Sequence, residues 1–369
     1  MTVFTGAEAA EDGVYRPILR PRRGELAALH HLDAAAARRV IPIIELSPAD
    51  QLGPLLRKMP PRTGAIAVDL GAVDLGAVNL GAVNLGAVNL GAVEDPCDLP
   101  TSPPLDLAEE LAELGVAVLP VLRAYDSRRR LVEHGLVARM HLKRAVLRLQ
   151  PHRDARNAAA ATEVTGRMLA GAGLDAEHVD LVIDLAETAC ATHANSVETR
   201  ARQVLRWARA SPWRSITIAA GAMPPNLDDL PTDEPVAVGR LDAQVWARLS
   251  EPGVGYADYG VTSPVRRLGI SHRQLPTLRY TAERDWWIYR WARRGGRSDD
   301  RCYDLCRTLV DSPQWPAAGA RFSWGDAQIA RQARSARGGG SSASWIAWST
   351  SHHIAHVLET LAPLPAESW

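Results

Sequence analysis

The sequence has no excess of charge of either sign, and it contains few lysines and few cysteines. Its 369 residues include 42 basic and 42 acidic side chains, so the net charge is zero. This balance gives no whole-chain attraction to nucleic acid or to an anionic membrane. The four cysteines, at positions 97, 190, 302 and 306, are too few and too unevenly spaced for a disulfide framework. We expect them to be reduced thiols.

Long hydrophobic runs are also missing. No segment approaches the roughly 18 consecutive apolar residues of a membrane helix, and the opening MTVFTGAEAAEDGVY has no basic region followed by an apolar one. We therefore expect a cytoplasmic protein with no membrane partner. The sequence contains no G-x-S-x-G nucleophile elbow, no H-E-x-x-H pattern and no P-loop, so it names no reaction.

Charge and tryptophan are unevenly distributed along the chain. Residues 266–369 contain 15 arginines, no lysine and 9 acidic residues, a net charge of +6 that leaves −6 for residues 1–265. Eight of the eleven tryptophans also follow residue 265. We predict a flexible leader at 1–13, a main domain at 14–265 and a smaller basic, Trp-rich α+β module at 266–369. The arginines and tryptophans of 279–297 form either a stacking surface for single-stranded nucleic acid or a core with a solvated arginine face.

Short apolar runs alternate with longer amphipathic ones from residue 15 to residue 260. The short runs are YRPILR, IPIIEL, AIAVDL, VAVLPVLRAY, AVLRLQ, VDLVIDLAE, SITIAAG and GVGYADYG. They are apolar on both faces, as strands of a parallel sheet covered on both sides must be, whereas the intervening segments have helical apolar spacing. Eight such units predict an α/β fold of the (β/α)8 TIM-barrel type, with an open doubly wound sheet as the alternative.

A five-residue repeat, A-V-(D/N)-L-G, occurs five times between residues 67 and 91. In one long strand, an odd period would send successive leucines to opposite faces. In a helix, the same period would scatter them around the axis, with a glycine in every copy. Five copies are also too few for a self-stacking solenoid. We predict that the first copy is the third barrel strand and that residues 71–95 are a low-complexity duplication in the loop after it.

Several segments, in order, resemble the family described as Beta protein, which occurs in phages and bacterial genomes. They are YRPILRPRRGE followed by IPIIEL, then IAAGAMPPN, GYADYGVTSP, RYTAERDWW, FSWGDAQI and SHHIAHV. Ala257 stands where the resemblance leads us to expect glycine, and Ser351 where it leads us to expect asparagine. The resemblance implies a barrel-like fold and a setting in phage biology or anti-phage defence, and it implies no reaction.

Charged residues near the ends of otherwise apolar strands are the main chemical signal. An ionised group there must be paired, must bind a ligand or must lie at the barrel mouth, because burying it alone costs several kcal/mol. In strand order they are Arg20, Arg22, Glu45, Asp69, Arg123, Asp126, Arg148, Asp184, Glu187 and Asp258.

Two interpretations of these charges remain open. In one, Glu45, Asp69 and Asp184 are catalytic carboxylates that hold a divalent metal in a phosphoester hydrolase. Arg20, Arg123 and Arg148 would then clamp a phosphate. In the other, the same charges form a salt-bridge lattice, and the protein is a sensor or adaptor that recognises a nucleotide, a nucleic acid or a protein partner at the mouth. Because ion-pair networks are common in barrels, the lattice is slightly favoured.

The C-terminal module adds further candidate residues. Cys302 with Cys306, and His352 with His356, have the i, i+4 spacing that presents zinc ligands on a helix, although two satisfied helices explain the pattern as well. Asp326 either caps the helix that follows it or orients His352 or His353, and capping alone is favoured. We include Asp326, His352 and His353 among the ligand-contact candidates. The segment AAGAMPPN, after the seventh strand, is either a phosphate-binding turn or an ordinary Pro-rich one.

Overall fold

The structure is a computed structural model, and the residues it describes are 13–46, 56–71, 103–188, 190–265, 275–292, 302–335 and 340–361. Within these ranges no helix is both long enough and apolar enough to cross a membrane.

Eight parallel strands form the main sheet, and all eight coincide with predicted strands. They are β1 (Ile18–Leu19), β2 (Ile43–Glu45), β3 (Ala65–Asp69), β4 (Ala117–Leu122), β5 (Ala145–Leu149), β6 (Val179–Glu187), β7 (Ser215–Gly221) and β9 (Val254–Asp258), paired in this order. Tyr15 bridges in parallel to Val40 and to Tyr256, so the last strand returns to the first. The sheet is a nearly closed barrel, which confirms the (β/α)8-like prediction.

The helices and their caps follow the amphipathic segments of the sequence. They are α1 (Arg23–His30), α2 (Ala34–Arg38), α3 (Pro103–Glu113), α4 (Arg128–Met140), α5 (Pro151–Asp154), α6 (Ala158–Ala172), α7 (Ala191–Ala208), α8 (Leu241–Leu249), α9 (Cys302–Val310), α10 (Trp324–Ala333) and α11 (Ser342–Thr360). Ser127 and Asn157 cap α4 and α6 through side-chain oxygens, and Gly173 ends α6 in the left-handed conformation that glycine favours.

The barrel interior is layered. Its middle is an apolar cluster that includes Ile18, Ile43, Val146 and Val182. Near the amino ends of the strands, Asp180 forms ion pairs with Arg16 and Arg144. Near the carboxyl ends lies a second polar layer, described below. Because side chains alternate between the two faces of a strand, the charges two residues beyond the apolar layer face inward on the same strands.

A second sheet joins residues from both sides of the boundary expected near residue 265. It is antiparallel, in the order β10 (Thr277–Thr281), β11 (Asp285–Arg290) and β8 (Pro235–Gly239). Helix α11 packs on α1, on α10 and on β10. Three of its side chains, Ile354, Val357 and Leu358, share a buried cluster with barrel residues. The C-terminal segment is therefore joined to the barrel by a sheet and by a common core.

The first copy of the repeat forms β3, as predicted, because residues 65–69 are AIAVD. Asp69 ends this strand, and its side chain accepts a hydrogen bond from the Gly71 amide at 2.9 Å. The remaining copies fall within residues 72–102, which lie outside the described residues.

Candidate functional site

The centre of the barrel mouth is the guanidinium group of Arg148, on β5. Its Nη1 donates to Asp69 Oδ2 at 2.6 Å and to Glu45 Oε1 at 3.1 Å. Its Nε and Nη2 donate to Asp184 Oδ2 at 3.0 and 2.8 Å. The structure therefore brings the three predicted carboxylates together, and it places a cationic side chain between them.

Asp184 has further donors that keep its carboxylate in place. Tyr259 donates its hydroxyl proton at 2.9 Å, and the Gln150 amide nitrogen donates at 2.7 Å. The Ala186 amide donates to the other oxygen at 2.9 Å. Tyr259 and Gln150 were not among the predicted site residues; the signal for Tyr259 is its position directly after Asp258, at the end of the last barrel strand.

The charges in this network are stable at neutral pH. Burial raises the pKa of Asp69, but Arg123 and Arg148 outweigh it, so the pKa lies below its usual value. The pKa of Asp184 is lowered by Arg148 and Arg123 in the same way, against the effect of burial. Burial and the neighbouring carboxylates raise the pKa of Tyr259 far above its ordinary value, although Arg148 opposes the shift, so its hydroxyl stays a donor.

Arg123 lies at the rim, immediately after β4, and its hydrogen-bonding capacity is only partly used. Its Nε donates to the Tyr125 hydroxyl at 3.1 Å, and its guanidinium lies 5.3 Å from the centre of the Tyr125 ring. Its Nη1 lies 3.5 Å from Asp69 Oδ2. That nitrogen is buried, like most of the residue, which is only 5% exposed. It has no hydrogen-bond partner among the described residues.

Arg20 and Arg22 follow β1, on the side of the mouth next to β9. Arg20 Nη2 donates to the Ser263 carbonyl oxygen at 2.8 Å, and Arg22 is exposed directly before α1. Their charges act on Glu25 of α1, which sequence analysis missed. Glu25 is fully buried, and burial raises its pKa to about 7 despite the opposing effects of Arg22 and Arg20. Its only sequence signal is an acidic residue in an apolar helical segment.

Asp126 and Glu187, the remaining strand-end acids, do not join the Arg148 network. Asp126 Oδ2 accepts a hydrogen bond from the Arg123 amide at 2.7 Å and stabilises the turn after β4. Burial raises the pKa of Asp126 to about 6. Glu187 ends β6 beyond a register shift that begins at Asp184.

Asp258 lies outside the barrel wall, not at the mouth. It accepts the Tyr15 hydroxyl at 2.5 Å, the Tyr256 hydroxyl at 2.8 Å and His353 Nε2 at 2.8 Å. Burial raises the pKa of Asp258, but His353 and Tyr15 lower it further than burial raises it. Asp258 and His353 therefore join the last barrel strand to the segment before β1 and to α11, and they are not positioned to contact a ligand at the mouth.

Burial favours the neutral form of His353. Burial lowers its pKa, and Asp258 only partly opposes that shift. Its Nε2 then donates to Asp258, and its Nδ1 accepts the Thr281 hydroxyl proton at 2.9 Å.

Asp326 does not simply cap a helix, because Ser323 is the N-cap of α10. Asp326 Oδ2 lies 3.0 Å from His352 Nδ1, and Oδ1 accepts the Tyr280 hydroxyl at 2.7 Å. The second ring nitrogen of His352 lies 2.9 Å from the Thr281 carbonyl oxygen. The favoured prediction was wrong, and the alternative, in which Asp326 orients a histidine, describes these contacts.

The zinc pattern stays a prediction, because the side chain of Cys302 lies outside the described residues. His352 is held by Asp326 and by a carbonyl group, and Cys306 is buried in the core of the C-terminal segment. Among the described residues, one group of three potential metal ligands lies close together, namely Asp175, Glu177 and His178. It is mostly exposed, as acidic surface groups without a metal commonly are.

Two other candidate surfaces are packed. In the AAGAMPPN segment, Ala222 and Met223 are buried against Trp286. Trp286 and Trp291, in the proposed stacking segment, are buried as well. These described tryptophans belong to the core, which matches the structural interpretation of that segment.

Comparison with known proteins gives one finding. A family model described as Beta protein matches residues 15–359, which include all eight barrel strands and most of α11. None of the curated proteins matches the chain.

Proposed function

The chain belongs to the Beta protein family, and we propose that it recognises a nucleotide-like anion at the mouth of its barrel, as a sensor or adaptor. The carboxyl ends of barrel strands are where such folds place their ligands. Arg123, Arg148 and the three carboxylates lie at those ends. This position supports a recognition site there, and the individual contacts indicate which group receives the anion.

The observation that carries the proposal is the buried Nη1 of Arg123, which forms an ion pair with Asp69 Oδ2 at 3.5 Å but makes no hydrogen bond among the described residues. A buried donor without a partner costs about 1–3 kcal/mol, more when it is charged. A phosphate oxygen bound at Nη1 would remove that cost and form a charge-assisted hydrogen bond. Arg148 is less suitable, because its three nitrogens already donate to carboxylates or to Tyr259.

Tyr125 supports a planar group on the same ligand. Its side chain is 38% exposed and lies beside Arg123 at the rim. Exposed aromatic rings stack on nucleobases with a free energy of about 1–3 kcal/mol per base. A phosphate at Arg123 and a base on Tyr125 together describe a nucleotide.

The contacts of Arg148 argue against the alternative of a metal-dependent phosphoester hydrolase. Its guanidinium lies between Glu45, Asp69 and Asp184 and donates to all three. A divalent cation bound by the same oxygens would have to displace a buried arginine and leave it without its partners, at a cost of several kcal/mol. We therefore assign these carboxylates to positioning Arg148, not to catalysis.

The test is calorimetry with adenosine and with its mono-, di- and triphosphates, using the wild type, Arg123→Gln and Arg139→Gln. Arg139 is exposed on α4 and serves as the control. We expect phosphate-dependent binding that weakens about 10- to 100-fold in Arg123→Gln, the loss of one charge-assisted hydrogen bond. Arg139→Gln should bind like the wild type. Absence of nucleotide binding, or equal binding by all three proteins, would refute the proposal.

A polynucleotide is the other form of this ligand. If the mouth binds nucleic acid, anisotropy with single- and double-stranded probes should show binding at low salt that falls steeply as salt rises, again sensitive to Arg123→Gln. The phage or defence setting that the resemblance implies then predicts that Arg123→Gln changes phage plating on cells that produce the protein. If cells that produce the Arg123→Gln protein at the wild-type level give the same phage plating as wild-type cells, the site has no part in that setting.

A further inference from the structure

A second site lies beside the mouth, between the ends of β5 and β6 and helix α7. It is a cavity of about 250 Å³ whose lining includes His152, Leu185, Ala186, Glu187, Val197 and Arg200. Drug-sized ligands occupy pockets of about 300–1,000 Å³. This cavity therefore suits a smaller molecule.

The charged groups of this lining have no partners in the described structure. The side chains of Glu187 and Arg200 form neither an ion pair nor a hydrogen bond there, although most strand-end charges of the barrel are paired. They also fail to pair with each other while lining the same cavity. An unpaired carboxylate and an unpaired guanidinium on one small cavity define a site for a ligand that carries both charges.

Apart from His152, the remaining side chains of the lining are apolar, and two of them are firmly held in the core. Leu185 and Val197 are each more than 90% buried and pack in the core around β6. They offer an aliphatic surface held by the barrel and not by a loose loop. A ligand bound here would place its hydrocarbon portion against these two side chains and gain about 25 cal/mol for each Å² of apolar surface buried.

The backbone at the cavity is strained in a way that fits a functional site. Ala186 has φ +56°, in the left-handed region that costs a residue with a Cβ atom roughly 1 kcal/mol. Asp184 holds this conformation, because its Oδ1 accepts the Ala186 amide. The register shift after Asp184 sets the position of Glu187 beside the cavity, while Asp184 points into the barrel. The Arg148 network therefore also shapes this neighbouring site.

We propose that the cavity binds a small zwitterion, specifically a free α-amino acid with an aliphatic side chain. The guanidinium of Arg200 receives the carboxylate, for which its paired N–H donors are suited. The Glu187 carboxylate accepts a hydrogen bond from the ammonium group. Leu185 and Val197 contact the aliphatic side chain of the ligand. This site is separate from Arg123 and does not depend on the nucleotide proposal.

Matched ligands test the zwitterion requirement by calorimetry. L-Leucine is compared with 4-methylpentanoate, which lacks its ammonium group, and with 3-methylbutylamine, which lacks its carboxylate. L-Valine, L-methionine and L-aspartate complete the panel. We expect the aliphatic amino acids to bind, and each single-charge analogue of leucine to bind at least 10-fold more weakly. Aspartate should also bind more weakly, because its second carboxylate would lie against the apolar surface.

Matched variants test the residues. Arg200→Gln and Glu187→Gln should each weaken leucine binding at least 10-fold. Arg206 is exposed, lies farther along α7 and does not line the cavity. Arg206→Gln should therefore leave leucine binding unchanged. Arg200 is exposed and Glu187 is not fully buried, so both variants should fold, which circular dichroism verifies.

Three results would overturn the inference. They are no binding by any amino acid of the panel, single-charge analogues that bind as tightly as leucine, and leucine binding unaffected by both Arg200→Gln and Glu187→Gln. Leucine binding should also persist in Arg123→Gln. If nucleotides do not bind but leucine binds as expected, the nucleotide proposal is rejected and the amino-acid proposal stands.

Discussion

Among single residues, Arg148 determines what the polar layer at the carboxyl ends of the barrel strands can do. Its guanidinium is almost completely buried, and it donates to Glu45, Asp69 and Asp184. Burial alone would lower its pKa, but Tyr259 and the surrounding carboxylates raise it well above the ordinary value, so the charge is permanent. A permanent cation surrounded by anions is a rigid structural centre. Recognition then falls to neighbouring groups with unused hydrogen-bonding capacity, of which Arg123 is the clearest.

Glu25 gives a prediction about pH. Its pKa is raised from 4.5 to about 7 in the folded protein, mainly by burial. Between those values the folded chain keeps a proton that the unfolded chain releases, so stability falls as pH rises and levels off above about 7. The loss attributable to Glu25 is roughly 3 kcal/mol, the shift multiplied by 1.36 kcal/mol per pKa unit. Glu25→Gln should therefore lose less stability between pH 5 and pH 8.

Urea unfolding at the two pH values measures this difference. The control is Glu163→Gln, which changes an exposed carboxylate on α6 and should retain the wild-type dependence on pH. An equal loss of stability in wild type and Glu25→Gln would mean that Glu25 is already ionised in the folded state.

At the scale of elements, the prediction for the repeat concerns stability. Strand β3 is complete at Asp69, and α3 begins at Pro103. Deleting residues 75–92 therefore removes no described strand or helix. Because the closure entropy of a connection changes slowly with its length, the free energy of unfolding should change by less than about 1 kcal/mol. Chemical denaturation of the deletion variant beside the full chain checks this, and loss of folding would show that the repeat has a structural role.

The barrel strands were predictable because each is a short apolar run between amphipathic segments, as AVLRL and SITIAAG illustrate. Strand β8 was not predicted. Its residues, PVAVG, begin with proline and are half exposed, and its partner β11 lies about 50 residues away in sequence. Pairing over such distances depends on tertiary contacts that local composition does not encode.

The candidate site was predictable in part for a similar reason. Glu45 and Asp69 are paired neighbours at the ends of β2 and β3, so strand alignment alone brings them together. The direction in which Asp258 points was not predictable. Its neighbours Ala257 and Tyr259 face the barrel interior, so Asp258 must face outward. In a strand buried on both faces, both alternating sets of side chains are apolar, so hydrophobicity does not indicate which set points into the barrel.

At the scale of the whole molecule, the C-terminal segment packs on the barrel and shares its core. Helix α11 covers α1 and shares a buried cluster with the barrel, and β11 pairs with β8. A chain that ends at residue 265 would lose Ile354, Val357 and Leu358 from this cluster and would leave Asp258 without His353. We expect this truncated chain to be unfolded or aggregated under conditions in which the full chain is folded.

Size-exclusion chromatography and thermal unfolding of the two chains test this. The milder variant His353→Gln keeps the full length and removes one partner of Asp258, so it should remain folded but melt at a lower temperature than the wild type. A truncated chain that is monomeric, with a cooperative transition like that of the full chain, would show instead that residues 14–265 fold independently.

The hydrogen bond between His353 and Tyr15 spans 338 residues of sequence. During synthesis, Tyr15 leaves the ribosome well before His353. The contacts of His353 with Tyr15 and Asp258 therefore form only after α11 has been synthesised. Until then, the side chains of α1 that pack on α11 lack this partner in the nascent chain, a condition that favours aggregation and chaperone engagement. The high sequence separation of these contacts also implies slow folding. Docking of α11 on α1 and on the barrel is therefore a late step in the folding of this chain.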